Sequence, residues 1–150
     1  EDYELVSKFK WYLLKQQSRL YATCTIYMAH INGRKIFSSM RLHRLIMRPP
    51  KGIDIDHKNH NSLDCRRMNM RLATRSQNIA NSRKKMGSSK FKGVFWVETL
   101  RKWRARIKVN YKGIHLGVFN FEEDAARAYD KAAIKYFDEF ANTNFSLVRR

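Results

Sequence analysis

Ile53-Asp-Ile-Asp-His57-Lys-Asn-His-Asn-Ser-Leu-Asp64-Cys-Arg-Arg-Met-Asn69-Met-Arg-Leu-Ala-Thr74-Arg-Ser-Gln-Asn78 is the densest polar constellation of the chain. Its apolar start reads as a strand that ends on Asp56-His57. At the other end Thr74 and Gln77 have the spacing of a capping box, in which the hydroxyl accepts from the third amide and the glutamine reaches back. That box places Asn78 in the first turn of a short helix running toward Asn81.

An Asp beside a His offers a hard oxygen ligand and a near-neutral base together. Phosphodiester hydrolysis needs both: a cation to neutralise charge on the scissile phosphate, and an imidazole to take a proton from water, an effect of roughly 10²- to 10⁴-fold. An isolated Asp-His pair is more often a hydrogen-bonded loop pair, so the surrounding residues have to add weight. His57, His60 and Cys65 together suggest zinc, but a fourth ligand is missing and the spacing is off the usual pattern, so zinc is not expected. Arg66, Arg67, Arg71 and Arg75 read equally as phosphate contacts or as a solvated face.

Upstream, Tyr21 to Ile31 is rich in β-branched and aromatic residues, Asn32-Gly33 supplies the positive φ of a tight hairpin turn, and Lys35 to Leu42 returns. Trp11 to Leu14 adds a third strand. Leu42 to Met47 reads as a short helix ended by Pro49-Pro50, with His43 a structural helix residue and not a ligand.

Downstream, Arg83-Lys84-Lys85 with Gly87-Ser88-Ser89 is the best linker and reads as tracking DNA. The expected domains are 1–86 and 87–150. Lys90 to Val97, Lys102 to Val109 and Ile114 to Phe119 read as three antiparallel strands, with Asn110 to Gly113 as the second turn. From Trp103 the period is two: Trp103, Ala105, Ile107 and Val109 face one way, Arg104, Arg106 and Lys108 the other. Asn120, with Glu123 three residues on, reads as the capping box of a helix whose alanines and tyrosines recur at helical spacing.

The whole chain of 150 residues carries 31 Lys and Arg against 13 Asp and Glu, a formal net charge of +18. Its 43% hydrophobic content argues against full disorder. Such a balance points to a polyanion, and nucleic acid is the commonest, because each neutralised phosphate releases a condensed counterion. Ribosomal or membrane-surface roles also fit the charge alone. No apolar run approaches a membrane span, and Glu1-Asp2-Tyr3-Glu4 is the opposite of a basic signal-peptide start. The expectation is an intracellular, cytoplasmic protein of a bacterial or phage-infected cell, processed or trimmed at Glu1, with Cys24 and Cys65 reduced.

Asp56-His57, Asn69 twelve positions on and Asn78 nine further resemble the HNH endonuclease family, in the form whose third position is Asn. Leu42 to Met47, Leu63-Asp64, Arg66-Arg67 and Arg71 to Thr74 are similar to its phage and intron-encoded homing branch, over roughly residues 9 to 82. The resemblance implies a ββα-metal finger, about residues 53–82. It implies His57 as general base, Asp56 and Asn78 as metal ligands, and Asn69 orienting His57 through its second ring nitrogen. The implied cofactor is one divalent ion, magnesium or in its place manganese. Lys58 and His60 depart from the family, which has an apolar residue and a glycine there, and Cys65 stands where Asn is usual.

Residues 89 to 145 resemble the Apetala or ethylene-response-factor type of DNA-binding domain. The resemblance is carried by Phe91 to Val94, Trp103 to Ile107, Leu116 to Phe119, Glu122 to Ala133 and Phe140 to Phe145. That family lays a three-stranded sheet in the major groove, which accepts two strands. By position, Lys92, Lys102, Arg104, Arg106 and Lys108 would contact DNA; Arg101, Arg71, Arg75, Arg83, Lys84 and Lys85 are further candidate DNA contacts. Trp96 reads evenly as a groove contact or a packing residue, and Trp103 as core.

The expected fold is α+β: an N-terminal β-hairpin region with the ββα-metal finger, then a three-stranded antiparallel sheet packed on one C-terminal helix. The expected function is a monomeric, nicking, homing-type endonuclease acting on double-stranded DNA, with no small-molecule substrate and no membrane. Two alternatives are kept: a DNA-binding transcriptional regulator with an inactive nuclease half, and a structured-RNA binder.

Overall fold

The computed structural model describes residues 2–17, 19–84 and 86–145. They form two compact units, Glu1–Ala73 and Thr74–Arg150, and the fold class is the mixed α+β expected.

In the first unit a short helix α1 (Tyr3–Val6) precedes three antiparallel strands, β1 (Tyr12–Gln16), β2 (Arg19–Ile31) and β3 (Arg34–Arg41), in the order β1-β2-β3. Asn32 and Gly33 take φ of 48° and 76°, the doubly left-handed turn whose twist matches a two-residue hairpin. Between Tyr27 and Ala29 the register slips, so Met28 bulges out of the β2–β3 ladder. Toward its tip the hairpin carries Tyr27, Met28, Ile31, Ile36 and Phe37, all exposed.

The helix α2 (Leu42–Met47) follows β3 directly and stops at Arg48, whose left-handed φ of 44° precedes Pro49-Pro50. It turns His43 and Ile46 inward. Ile46 packs with Ile55 of β4 (Asp54–His57) and Met70 of β5 (Met70–Ala73), and Val6, Leu42, Met47 and Cys65 close around them. This small core fixes the β4–β5 pair, in which Asp56 lies opposite Arg71 and His57 opposite Met70.

The second unit begins with α3 (Arg75–Ala80). Its capping box is formed as read: the Thr74 hydroxyl accepts from the Gln77 amide, and the Gln77 side chain accepts from the Thr74 amide at 2.8 Å. Then β6 (Val94–Val97), β7 (Lys102–Val109) and β8 (Lys112–Phe119) make an antiparallel sheet in that order, covered by α4 (Glu122–Phe137). Its core is Val94, Ala105, Ala125 and Ala126, ringed by Phe91, Trp103, Leu116, Phe119 and Phe145. The small alanines let α4 lie close on the sheet.

Two of the departures from the sequence reading have a visible cause. The first strand covers only Val94–Val97, because Gly93 at φ 76° turns the chain and passes beneath the buried Tyr129 ring. The last helix starts at Glu122, not Asn120, and Phe121 at its N-cap offers no side-chain acceptor. Tertiary bonds take the place of the cap: Glu122 accepts from the Ser89 hydroxyl at 2.6 Å and the Lys90 amide at 3.1 Å, and Glu123 pairs with Lys90 at 3.5 Å.

Midway along α4, buried Asp130 accepts from the Asn144 and Phe145 amides and the Asn144 side chain at 2.8 to 3.0 Å. Asn144 in turn brackets Lys92, accepting from its amide and donating to its carbonyl. The segment 80–82 belongs to this unit because the Lys92 ammonium donates to the Ala80 and Ser82 carbonyls and Asn142 donates to Ser82 at 3.0 Å.

Candidate active site and nucleic-acid interface

The end of β4 carries the chemistry. Asp56 and His57 are both buried, and the antiparallel register puts Arg71 directly across from Asp56. Arg71 directs Nε and Nη2 at Asp56 Oδ2, each at 2.9 Å, with both side chains largely out of water. The arginine expected to reach phosphate therefore stands as the counter-charge of the buried carboxylate, as an ionised group taken out of water requires.

His57 is held below the ordinary imidazole range. Burial is the main cause; Asp56 and Asp64 oppose it and Arg19 adds to it. The ring is therefore neutral at neutral pH, the form in which an imidazole accepts a proton. His43 meets it edge-on, with centroids 5.3 Å apart and planes at 88°. Burial first, then the field of His57, pushes His43 down to about 3.

His43 thus links stability to pH. Its folded value lies below the unfolded 6.5, so the unfolded chain binds the extra proton between those limits. The contribution is complete above pH 6.5 and is lost as the pH falls toward 3. Between pH 7 and 5 the first unit should lose about 2 kcal/mol, at about 1.4 kcal/mol per pH unit below 6.5. Urea unfolding at the two pH values measures this, and His43→Gln should flatten the difference.

Asn69 is buried, and its bonds run to the turn that leaves His57. Its Nδ2 donates to Asn59 Oδ1 at 3.0 Å and to the Asp64 carbonyl at 2.8 Å, and its Oδ1 accepts from the Asn59 amide at 3.1 Å. Both amide protons are used on the turn, so the bonds of Asn69 go to the backbone and side chain beyond His57 and not to the second ring nitrogen that the resemblance implied. The turn also contains His60, which adopts φ 63° and so preserves the left-handed backbone a glycine would favour. Asp64 is held well below the carboxylate range, chiefly by the two-pronged Arg66 contact at 2.7 Å, with Asn59 helping. Arg66 and Arg67 are thereby engaged in ion pairs, Arg67 with Asp2 at 2.7 Å. Beside His57 lies Cys65, its thiol pushed up to about 11 by burial and by Asp64.

Asn78 follows β5 on α3, where its amide donates to the Thr74 carbonyl at 3.0 Å. A hard cation suits the donors named from the sequence, a carboxylate and an amide oxygen. Arg71 fixes the orientation of the Asp56 carboxylate by holding its Oδ2.

In the second unit the sheet has two chemically distinct faces. Val94, Trp96, Trp103, Ala105 and Ile107 share the face toward α4, since paired residues of an antiparallel ladder point the same way. Trp96 lies opposite Trp103 with rings 5.1 Å apart and donates Nε1 to Glu98 at 2.6 Å. Its place is thus with the packing side chains. The other face presents Phe95, Lys102, Arg104, Arg106, Lys108 and His115.

Arg104 lies 5.8 Å from the Phe95 ring, and its buried Nε meets no acceptor. Arg106 lies across Gly113, where a Cβ would sit 2.1 Å from its Nη2. Arg75, Arg83 and Arg101 are exposed and Lys84 half-buried; Lys85 falls outside the described residues. Lys92 points its ammonium at two carbonyls inside the unit, so the structure places it as a pin. Phe95 was missed by the sequence reading because all four residues of Val-Phe-Trp-Val are apolar.

Among the described residues no helix is long and apolar enough to cross a membrane. Residues 41–80 match the family model of an HNH endonuclease, and residues 89–139 match that of the AP2 domain. The chain is 34% identical to an uncharacterized HNH endonuclease of Acanthamoeba polyphaga mimivirus, covering 96% of this chain and 71% of the viral protein. It is 38% identical to the AP2-like ethylene-responsive transcription factor ANT of Arabidopsis thaliana over 53% of this chain and 16% of that protein. With APETALA2-like protein 2 of Oryza sativa subsp. japonica it shares 50% identity over 39% of this chain and 14% of the rice protein.

Proposed function

Because the chain belongs to the HNH endonuclease family and carries an AP2 domain, we propose that it is a metal-dependent endonuclease that hydrolyses a phosphodiester bond and nicks duplex DNA as a monomer. The cutting function is assigned to residues 1–86, which take in the first unit and the segment with α3 that is grouped with the second unit, and the DNA-holding function to 87–150. The observation that carries the reading is the buried Asp56-His57 pair at the end of β4, inside the segment that matches the family.

His57 takes the proton of the attacking water, a role that its neutral, buried ring suits. Asp56 and Asn78 hold the divalent ion, magnesium or in its place manganese; when bound, it neutralises charge developing on the phosphate. Arg71 fixes the Asp56 carboxylate. Asn69 acts as a positioning residue, holding the turn that fixes the backbone beyond His57.

The basic sheet face takes the duplex in its major groove, with Lys102, Arg104, Arg106 and Lys108 as contacts and Phe95 between them. Arg75, Arg83, Lys84, Lys85 and Arg101 reach phosphates. The compartment is whichever one inside the cell holds duplex DNA. An Arg101→Gln variant should weaken binding evenly across sequences and lower the slope of log affinity against log salt by about 1, one released counterion per lost contact. Titrations of labelled duplex at several salt concentrations read the slope.

The test of the whole reading is supercoiled DNA at low salt, with magnesium or with chelator. Open-circle product that needs the metal supports it. DNA that is shifted on a gel yet stays intact in magnesium and manganese overturns it, and leaves a DNA-binding regulator whose Asp56 is spent on Arg71.

A further inference from the structure

Three soft donors from three separate segments converge in the first unit: His43 on α2, His57 at the end of β4 and Cys65 in the connection to β5. One ligand atom from each lies within 4.8 Å of the others, and all three atoms are buried. Nitrogen and sulfur ligands of a tetrahedral zinc ion, at roughly 2.0 to 2.3 Å from it, stand about 3.5 Å apart, so closing the triad needs shifts of about an ångström. Imidazole and thiolate select zinc over magnesium, which takes oxygen. The spacing of His57, His60 and Cys65 gave no such set, because the third partner comes from α2, fourteen positions before His57.

We propose that His43, His57 and Cys65 form a zinc site, with the fourth position open to water, that switches the nuclease off by capturing the imidazole of its general base. The site rests on the catalytic reading for its effect, but not for its existence. It is separate in chemistry from the oxygen ligands Asp56 and Asn78: magnesium supports cutting while zinc, at far lower concentration, withdraws His57. An ion there ties α2, β4 and the intervening turn together, so loading also stabilises the first unit by mass action.

Binding is measured first, on the full chain and without DNA. Competition against a chromophoric chelator should show one zinc per chain, and cobalt should give the near-ultraviolet charge-transfer band of a thiolate ligand. Cys65→Ser and His43→Gln should each weaken zinc at least tenfold, and Cys65→Ser should remove the band, while both variants melt as cooperative folded proteins. Nicking in magnesium should then be inhibited by micromolar zinc in the parent chain and restored by chelator, and Cys65→Ser should nick normally and resist zinc.

Zinc affinity unchanged in both variants, or cobalt without the thiolate band, overturns the site and leaves the triad as ordinary packing. Tight zinc binding that leaves magnesium-dependent nicking intact overturns the switch. If no chain nicks DNA under any metal, the catalytic reading fails instead, and the binding data still decide whether the site exists.

Discussion

Replacing His57 by glutamine or alanine should lower the rate of magnesium-dependent nicking by about 10²- to 10⁴-fold, the range a positioned general base contributes. Duplex affinity should stay within about twofold, because the contacts assigned to DNA lie on the sheet face of the second unit and on other arginines and lysines, not on His57. Glutamine is the more telling substitution: it fills most of the space beside His43 and keeps a hydrogen-bonding head while removing the basic nitrogen. Single-turnover nicking alongside gel-shift titrations separates the two effects. A variant that nicks at the parent rate removes His57 from the chemistry. A variant that loses binding and nicking together assigns His57 to the fold, and a melting curve shows which has happened.

The largest expected effect on stability is at Gly93. A Cβ built there sits 2.0 Å from the Tyr129 ring and 2.8 Å from the Arg106 carbonyl, and the residue holds φ 76°. The first neighbour is a buried side chain and the second is backbone, so neither gives way cheaply. Left-handed backbone costs about 1–2 kcal/mol for a residue with a Cβ, and overpacking a tight interior about 1–3 kcal/mol.

Gly93→Ala should therefore destabilise the second unit by about 2–5 kcal/mol, which in a domain of this size is a fall in melting temperature on the order of 10 °C or more. The emission of Trp96 and Trp103 follows the transition. DNA affinity should fall as the unit melts, and low temperature should recover it. A variant that melts within about 2 °C of the parent would show that α4 shifts off the sheet at little cost, against the close packing of its alanines.

What could be read in advance was what is local. The left-handed pair Asn32-Gly33, the Thr74 and Gln77 box and the period-two alternation after Trp103 each depend on neighbours a few residues away, and all three appear as read. What depends on register or on distant partners was not readable. Arg71 faces Asp56 only because β4 and β5 pair in one register. Trp96 turns inward because it lies opposite Trp103, and nothing in Val-Phe-Trp-Val marks an inside and an outside. Asn120 had the right spacing for a cap, but Glu122 found better partners across the fold in Ser89 and Lys90. The meeting of His43, His57 and Cys65 is legible only once α2 has been laid on the β4–β5 pair.

The bare tip of the long hairpin shapes how the protein behaves in a tube. Tyr27, Met28, Ile31 and Phe37 are each more than half exposed, while a net charge of +18 keeps copies apart in dilute buffer. Raising the salt to strip nucleic acid from the protein shortens the range of that repulsion from about 10 Å at 0.1 M to about 3 Å at 1 M and strengthens apolar contact. The condition that cleans the protein is then the one in which the hairpins stick. Turbidity should rise with salt and recede when Phe37 and Met28 are made polar, which would give crystallographers and enzymologists a chain they can concentrate.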